Sequence, residues 1–438
     1  MSVVASTHLP VPAIHGGPKA VEAAPGDLFT WPIVMKEDEE AVLEVLRRGA
    51  MSGLDVTRQF EKEFAEYHDV PYALAHPNGT AAILAGLWAL GVRQGDEIIA
   101  PTVTYWASAL PALGLGATVN FADIDPKTIC IAPKDIESRI GPRTKVIVVV
   151  HYCAHPCDMD PIMEIARKHK LKVLEDVSHA HGGRYKGRML GTIGDVACFS
   201  LMSGKSLAAG EGGMLVTKDR EVYERAVAWG HYERTGSYSK WATCDSPLTD
   251  PELRKFAGLP LGGCKNRLNQ LASAFGRVQL KHYPKRIEVI QRAMNRFWDL
   301  LEGTPGVRAH RVDPKSGSTM AGWYSAIGLY EASELGGVPI ERFCDAVRAE
   351  GVECRPAGNQ CLHVHPLFHE ADIYGTGRPS TLVDKRRDVR QGPGTLPNAE
   401  AFSARCFSVP WFKHDRVDEI ERYALAYKKA SASLRGGN

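Results

Sequence analysis

The chain has 438 residues, 44% of them hydrophobic, which is enough for a large buried core and, from length alone, two or three domains. Its 53 basic and 51 acidic side chains nearly cancel at a formal charge of +2, without blocks of like charge, which argues against a nucleic-acid track or an anionic membrane surface. The 10 scattered cysteines form no small-domain disulfide framework, the amino terminus lacks a signal-peptide pattern, and no apolar run approaches the roughly 20 residues that span a bilayer; a soluble protein of the reducing cytoplasm, acting on a small molecule, is expected.

Residues 1–31 are rich in Pro, Gly and Ala and predict an extended arm. Val42, Leu43, Val45 and Leu46 among charged residues predict an amphipathic helix over 36–48, which with the arm makes a first segment, residues 1–50. A turn over 49–55 and a helix over 56–67 open a large domain expected over 51–285. His76-Pro77-Asn78-Gly79-Thr80 then precedes an Ala- and Leu-rich helix at 81–90. Asn78 or Thr80 could cap it, and the free N–H groups of a helix start, with no side chain at Gly79, suit a phosphate. Residues 96–101 read as a strand, at whose carboxyl end Tyr105 or Trp106 could either stack on a planar ligand or fill the core. Further strand-like runs at 118–124 and 146–151, with a helix at 160–169, imply a mostly parallel sheet covered on both faces. His151, Cys153, His155 and Cys157 are of zinc-ligand type, but the cluster reads as a turn after a strand, and no metal is expected.

The stretch 173–214 carries the chemistry. A buried run ending in Glu175-Asp176 places a carboxylate at the carboxyl end of a strand, where open α/β sheets bind ligands. A second run, 196–201, leads to Gly204-Lys205, followed by an uncrowded Ala-Ala-Gly-Glu-Gly-Gly backbone. Pyridoxal phosphate chemistry needs these two groups together: a carboxylate that keeps the pyridine nitrogen protonated, and an amine that condenses with the aldehyde and then moves protons. Asp176 and Lys205 are the candidates.

Beyond Tyr232 the pattern thins. Residues 235–260 form a long connection that could serve as a lid or substrate loop. Gly262-Gly263-Cys264-Lys265-Asn266-Arg267 precedes a helix over 269–283, and a second helix over 286–303 should lead into a smaller α+β domain, residues 286–438, with a strand within 322–330 and a helix over 340–348.

The segments Glu175-Asp176-Val177-Ser178-His179-Ala180-His181-Gly182, Gly191-Thr192-Ile193-Gly194-Asp195, Phe199-Ser200 and Gly204-Lys205 through Gly213 resemble those of sugar aminotransferases of the DegT/StrS type, and the order of motifs follows that family from about 49 to 280. The resemblance implies the aspartate-aminotransferase-like fold (PLP fold type I), a homodimer with active sites at the subunit interface, and transfer of an amino group from glutamate or glutamine to a keto sugar or keto cyclitol. It implies that Gly79, Thr80 and Ser200 hold the cofactor phosphate, with Asn78 where relatives have serine, and that Tyr105 stacks on the ring. His179 stands where the family often has glutamine, against the ring oxygen or the substrate, unless it is tucked under the loop. An asparagine two residues before Arg267 crosses to the partner's phosphate in relatives; here Lys265 occupies its place and Asn266 follows. His155, His363 and His365 are weaker candidates for the substrate mouth. Two other activities resemble this family: a PLP-dependent sugar dehydratase, which typically lacks the lysine at the place of Lys205, and a PLP-binding regulatory relative without turnover.

Overall fold

The structure is a computed structural model, and it describes residues 9–23, 26–237, 246–383 and 387–435. The first eight residues of the predicted arm, and 238–245 of the predicted lid, lie outside the described residues.

Seven strands make the main sheet: β1 (Tyr72–His76), β2 (Glu97–Pro101), β3 (Thr118–Ala122), β4 (Thr144–Val150), β5 (Lys172–Asp176), β6 (Val196–Ser200) and β7 (Gly213–Thr217). Their order is β1-β7-β6-β5-β4-β2-β3, and only β7 runs against its neighbours. The central strands are apolar on both faces, as in the Val146-Ile147-Val148-Val149-Val150 run, because helices cover both sides. The register sets Val150 beside Asp176, Asp176 beside Cys198, and Ser200 and His76 on either side of Gly213. The carboxyl ends of β1, β4, β5 and β6 therefore share one edge.

Two antiparallel partners at that edge, β1 and β7, escape a reading of the sequence, because Ala73, Ala75 and Gly213 dilute the β-branched signal that marks the central strands. The two helices expected either side of Pro284 are one, Gln270–Leu300. A proline inside a helix costs roughly 3 kcal/mol. Packing on both sides of it offsets that: Tyr283 is buried in the larger core, and Ile290, Met294, Phe297 and Trp298 are buried in the smaller. The predicted boundary between residues 285 and 286 thus falls inside a continuous helix.

The smaller core surrounds the three-stranded sheet Val307–Ala309, Ile327–Tyr330 and Cys406–Ser408 and the helices Ile340–Ala349 and Val417–Arg435. Val21 and Leu28 of the arm join it, whereas Phe368, Leu396, Ala399 and Phe402 pack on the larger core. No helix among the described residues is long and apolar enough to cross a membrane.

A buried ion pair ties the arm down. Lys429 Nζ donates to Glu350 Oε2 and to the Pro18 carbonyl, both at 2.6 Å, and the carboxylate also accepts the N–H groups of Ala13 and Ala20. Breaking one side of a buried pair strands the other charge and costs about 3–5 kcal/mol. Glu350→Ala should therefore lower stability by that amount in denaturant titration and expose residues 9–23 to proteolysis, while an exposed control such as Glu252→Ala should change neither.

Candidate active site

Alternation along β5 sends Glu175 and Asp176 to opposite faces of the sheet. Glu175 accepts His151 Nε2–H at 3.1 Å and the N–H groups of Gly191, Ile193 and Gly194 at 2.9, 2.8 and 2.6 Å. Burial alone would raise its pKa, but these donors hold it below the ordinary value. Asp176 faces the other way, with Oδ2 accepting Ser108 Oγ–H at 2.6 Å and Oδ1 accepting the Ser178 N–H at 3.1 Å. Ser108 has one proton and gives it to Asp176, so Thr104 supplies the proton in the 2.8 Å bond between Thr104 Oγ1 and Ser108 Oγ.

Lys205 follows β6 across a turn in which its N–H bonds Met202 O at 2.8 Å, and its side chain is 8% exposed. Nζ lies 4.2 Å from the centre of the Tyr324 ring, and Trp31 Nε1–H donates to the Lys205 carbonyl at 2.7 Å. Burial pushes the ammonium down to about 8, against the opposing pull of Asp176 and Cys153. His179 packs between Tyr152 and Tyr324, at ring distances of 5.4 and 4.7 Å. Its Nδ1 accepts the Cys153 N–H at 3.3 Å, which leaves the ring proton on Nε2. Burial, with Lys205 adding to it, drives its pKa well below the usual value, so the ring is neutral. Non-glycine residues with positive φ cluster around this pair, at Cys153 and Ala154 (48° and 67°) and at Ala321, Trp323 and Ser325 (43°, 51° and 57°). Such strain gathers where a site demands a particular backbone.

The phosphate-type cradle forms where Gly79–Ala89 begins. Asn78 caps this helix, Oδ1 accepting the Ala81 N–H at 2.8 Å. A Cβ at Gly79 would stand 3.0 Å from Ser200 Cα, and one at Gly213 only 2.3 Å from the Asn78 carbonyl, so both glycines are needed for the helix start to sit on β6 and β7. Thr80 follows on the same turn. Ser200 is held by its N–H on Ser178 Oγ at 3.0 Å. Tyr105 stands at the head of the short turn Trp106–Ser108 that delivers Ser108 to Asp176; it is 50% exposed, with Trp106 tilted against it at 4.9 Å.

Other candidates are placed apart from this group. His363 is buried between Thr102 Oγ1 at 2.8 Å and Glu400 at 3.1 Å, and His365 is exposed and accepts the Leu367 N–H. His155 bonds the Pro156 carbonyl and leans on His310. Of the suspected metal cluster, His151 is committed to Glu175 and to the Cys157 N–H, and Cys157 Sγ donates to Val150 O. Lys265 is exposed, while Asn266 is buried with its N–H on Gly230 O at 2.9 Å. Ser108, Tyr324, Cys153 and Trp31 were not expected at the site; only the four-residue spacing of Thr104 and Ser108 after a strand hints at one of them.

Comparison with known proteins accounts for this arrangement. Residues 32–424 match the DegT/DnrJ/EryC1/StrS aminotransferase family. The chain belongs to that family. It is 35% identical to the spore coat polysaccharide biosynthesis protein SpsC of Bacillus subtilis (strain 168), over 90% of this chain and 94% of that one. It is 32% identical to the L-glutamine:2-deoxy-scyllo-inosose aminotransferase of Streptomyces kanamyceticus, over 84% and 86%. The solved aminotransferase from Psychrobacter cryohalolentis superposes with a TM-score of 0.78 at 28% identity, covering 93% of this chain and 99% of that one. This aminotransferase thus has the α/β fold type I architecture and the pyridoxal phosphate cofactor that the sequence resemblance implied. The residues present fit that group: a poorly solvated amine near neutrality, a carboxylate oriented by two donors, a neutral histidine with its proton on Nε2, and a helix start cleared of side chains by glycine.

Because the Lys205 pKa is lower in the fold than in the unfolded chain, the unfolded state binds more protons between about pH 8 and the ordinary lysine value, and stability of the cofactor-free protein rises with pH through that window. At pH 7 both states are charged and burial costs on the order of 3 kcal/mol. Lys205→Met should therefore raise the melting temperature of cofactor-free protein at pH 7, and the difference should shrink between pH 8 and 10. A gain independent of pH would show that the amine titrates alike in the folded and unfolded chain and that the effect is one of packing.

Proposed function

We propose that this aminotransferase moves the amino group of glutamine or glutamate to the ketone of a keto sugar or keto cyclitol, as a step of amino-sugar or aminocyclitol biosynthesis, and that it works as a cytoplasmic homodimer. The observation that carries the reading is Lys205, a buried amine shifted to about 8 across from the oriented Asp176, in a chain alike over most of its length to a relative named for amino transfer to a keto cyclitol. The nine described cysteines are all free, which suits a reducing compartment.

Pyridoxal phosphate, when bound, supplies an aldehyde that accepts amines and a protonated ring that draws electrons from the adjacent carbon. Asp176, oriented by Ser108 and Ser178, would hold the proton at the ring nitrogen. His179, its tautomer set by the Cys153 N–H, would offer Nε2–H to the ring oxygen. Asn78, Gly79, Thr80 and Ser200 would bind the phosphate at the helix start, and Tyr105 would stack on the ring. Lys205 Nζ, with a pKa near working pH, would serve as the base that accepts the proton from the donor's α-carbon. Lys265, exposed on its own chain, extends to the phosphate held by the other subunit.

Purified protein loaded with pyridoxal phosphate should show a visible band that glutamine or glutamate bleaches and a keto cyclitol or keto sugar restores. A colourless protein indifferent to added cofactor would end this reading. Lys205→Ala should retain phosphate-dependent cofactor binding while losing at least roughly 10²–10⁴-fold in turnover, the share of a placed acid–base group. For Lys265, the effect of Lys265→Ala reports its burial in the dimer: an exposed ion pair contributes about 0–1 kcal/mol, a partly buried charge-assisted contact more. In the variant cofactor should bind more weakly, and the dimer should dissociate more readily, more so with cofactor bound than without it; no change in either leaves Lys265 a solvated loop residue.

A further inference from the structure

Three aromatic rings connect Lys205 to a second buried lysine. Tyr324 lies 4.2 Å from Lys205 Nζ, Trp411 meets Tyr324 edge to face at 5.8 Å, and Lys413 Nζ sits 3.7 Å from the centre of the Trp411 ring. Trp31, whose Nε1–H bonds the Lys205 carbonyl, leans on Trp411 at 5.4 Å. Trp411 is pinned in turn by donating Nε1–H to Gly322 O at 2.9 Å. The two ammonium groups stand along one continuous aromatic wall.

Lys413 is only 6% exposed, yet among the described residues its ammonium has a single hydrogen-bond acceptor, the Trp411 carbonyl at 2.9 Å, and no carboxylate partner. An ammonium offers three donors and resists leaving water, and one carbonyl with one ring face compensates only in part. Burial accordingly pushes it down to about 7. A third buried lysine, Lys429, is treated differently: it is matched to Glu350 within the chain. At Lys413 the matching anion is missing, and the wall that carries it leads to the amine where an amino-acid donor must react.

We infer that Lys413 is a receptor for a carboxylate of the α-amino-acid donor, which it receives at the edge of the Trp411 ring; this rests on the aminotransferase reading above. Keto cyclitols and keto sugars without a uronic acid group bring no carboxylate, whereas every α-amino-acid donor does, so Lys413 serves the donor half of the reaction and separates α-amino acids from simple amines. An unpaired buried ammonium is a cost in the free protein and a gain once the anion arrives, so its removal has opposite effects on folding and on binding.

The test uses the cofactor-loaded full chain and two probes that differ in the carboxylate: 2-methylglutamine, which lacks the α-hydrogen and so binds without turnover, and 4-amino-4-methylpentanamide, in which a methyl group replaces the carboxylate and which also lacks that hydrogen. By calorimetry, Lys413→Met should weaken 2-methylglutamine about 10- to 100-fold, the range of a hydrogen bond to a charged group, and leave 4-amino-4-methylpentanamide unchanged. Lys413→Arg should recover most of the loss, and the Met variant should melt at a higher temperature than wild type. Unaltered binding of 2-methylglutamine in the Met variant overturns the assignment, as does equal weakening of both probes together with a lower melting temperature, which marks a packing role. A wild-type protein that binds neither probe overturns the aminotransferase reading itself, and is told apart because no variant is needed to see it.

Discussion

The parallel pairing of β5 with β6, which sets Asp176 opposite Cys198, is the constraint from which the site follows. A slip of one residue along β5 would exchange the faces of Glu175 and Asp176. Glu175 prevents it, since its carboxylate is fixed by His151 and by three N–H groups of the Gly191–Gly194 turn, and that turn delivers the chain into β6. Glu175 touches nothing on the ligand side. It nevertheless holds Asp176 there, and the length of β6 then determines where Lys205 emerges. A buried carboxylate with four donors is a stiff clamp, because every lost donor would leave charge stranded in the core.

The region around Lys205 is held at some expense to the rest of the fold. A poorly solvated amine, a neutral buried histidine and several residues with positive φ lie within one shell. Each costs stability, of order 1–3 kcal/mol for a backbone outlier. The compensation comes from elements that never meet the ligand: the apolar central strands, and the helix Gln270–Leu300, which bridges both cores and puts Tyr283 Oη in contact with Ser206 and the His181 carbonyl, next to Lys205 in sequence. Rigidity is imported along that helix, and this explains why it runs unbroken through Pro284.

Legibility in the sequence followed the strength of local signals. The central parallel strands were readable because burial on both faces forces continuous apolar runs, and the amine and carboxylate because they close two such runs. The antiparallel pair Tyr72–His76 and Gly213–Thr217 was not, since their alanines and glycines answer to neighbours across the sheet: Gly213 is small because the Asn78 carbonyl lies against it. Ser108 was only hinted at by its spacing from Thr104, and Tyr324 was invisible, for a related reason. Each acts on a group far away in sequence, Asp176 and Lys205, through a contact that no periodicity records. His363 shows the converse. Its neighbourhood suggested substrate, yet Thr102 and Glu400 occupy both ring nitrogens.

The loop before the long helix shows how a one-residue difference in a motif acquires structural meaning. Asn266 gives its N–H to Gly230 O, and its side chain lies so close to Gly230 that a Cβ there would stand 2.6 Å from Nδ2. The amide is buried, with no partner for Nδ2 among the described residues, a cost of about 1–3 kcal/mol unless water supplies one. Asn266 is buried beside Gly230, while Lys265, one residue earlier, is exposed at the surface. For Asn266 to reach outward, the Gly230 bond would have to break and the buried amide leave its place. Lys265, exposed at the surface, is under neither constraint.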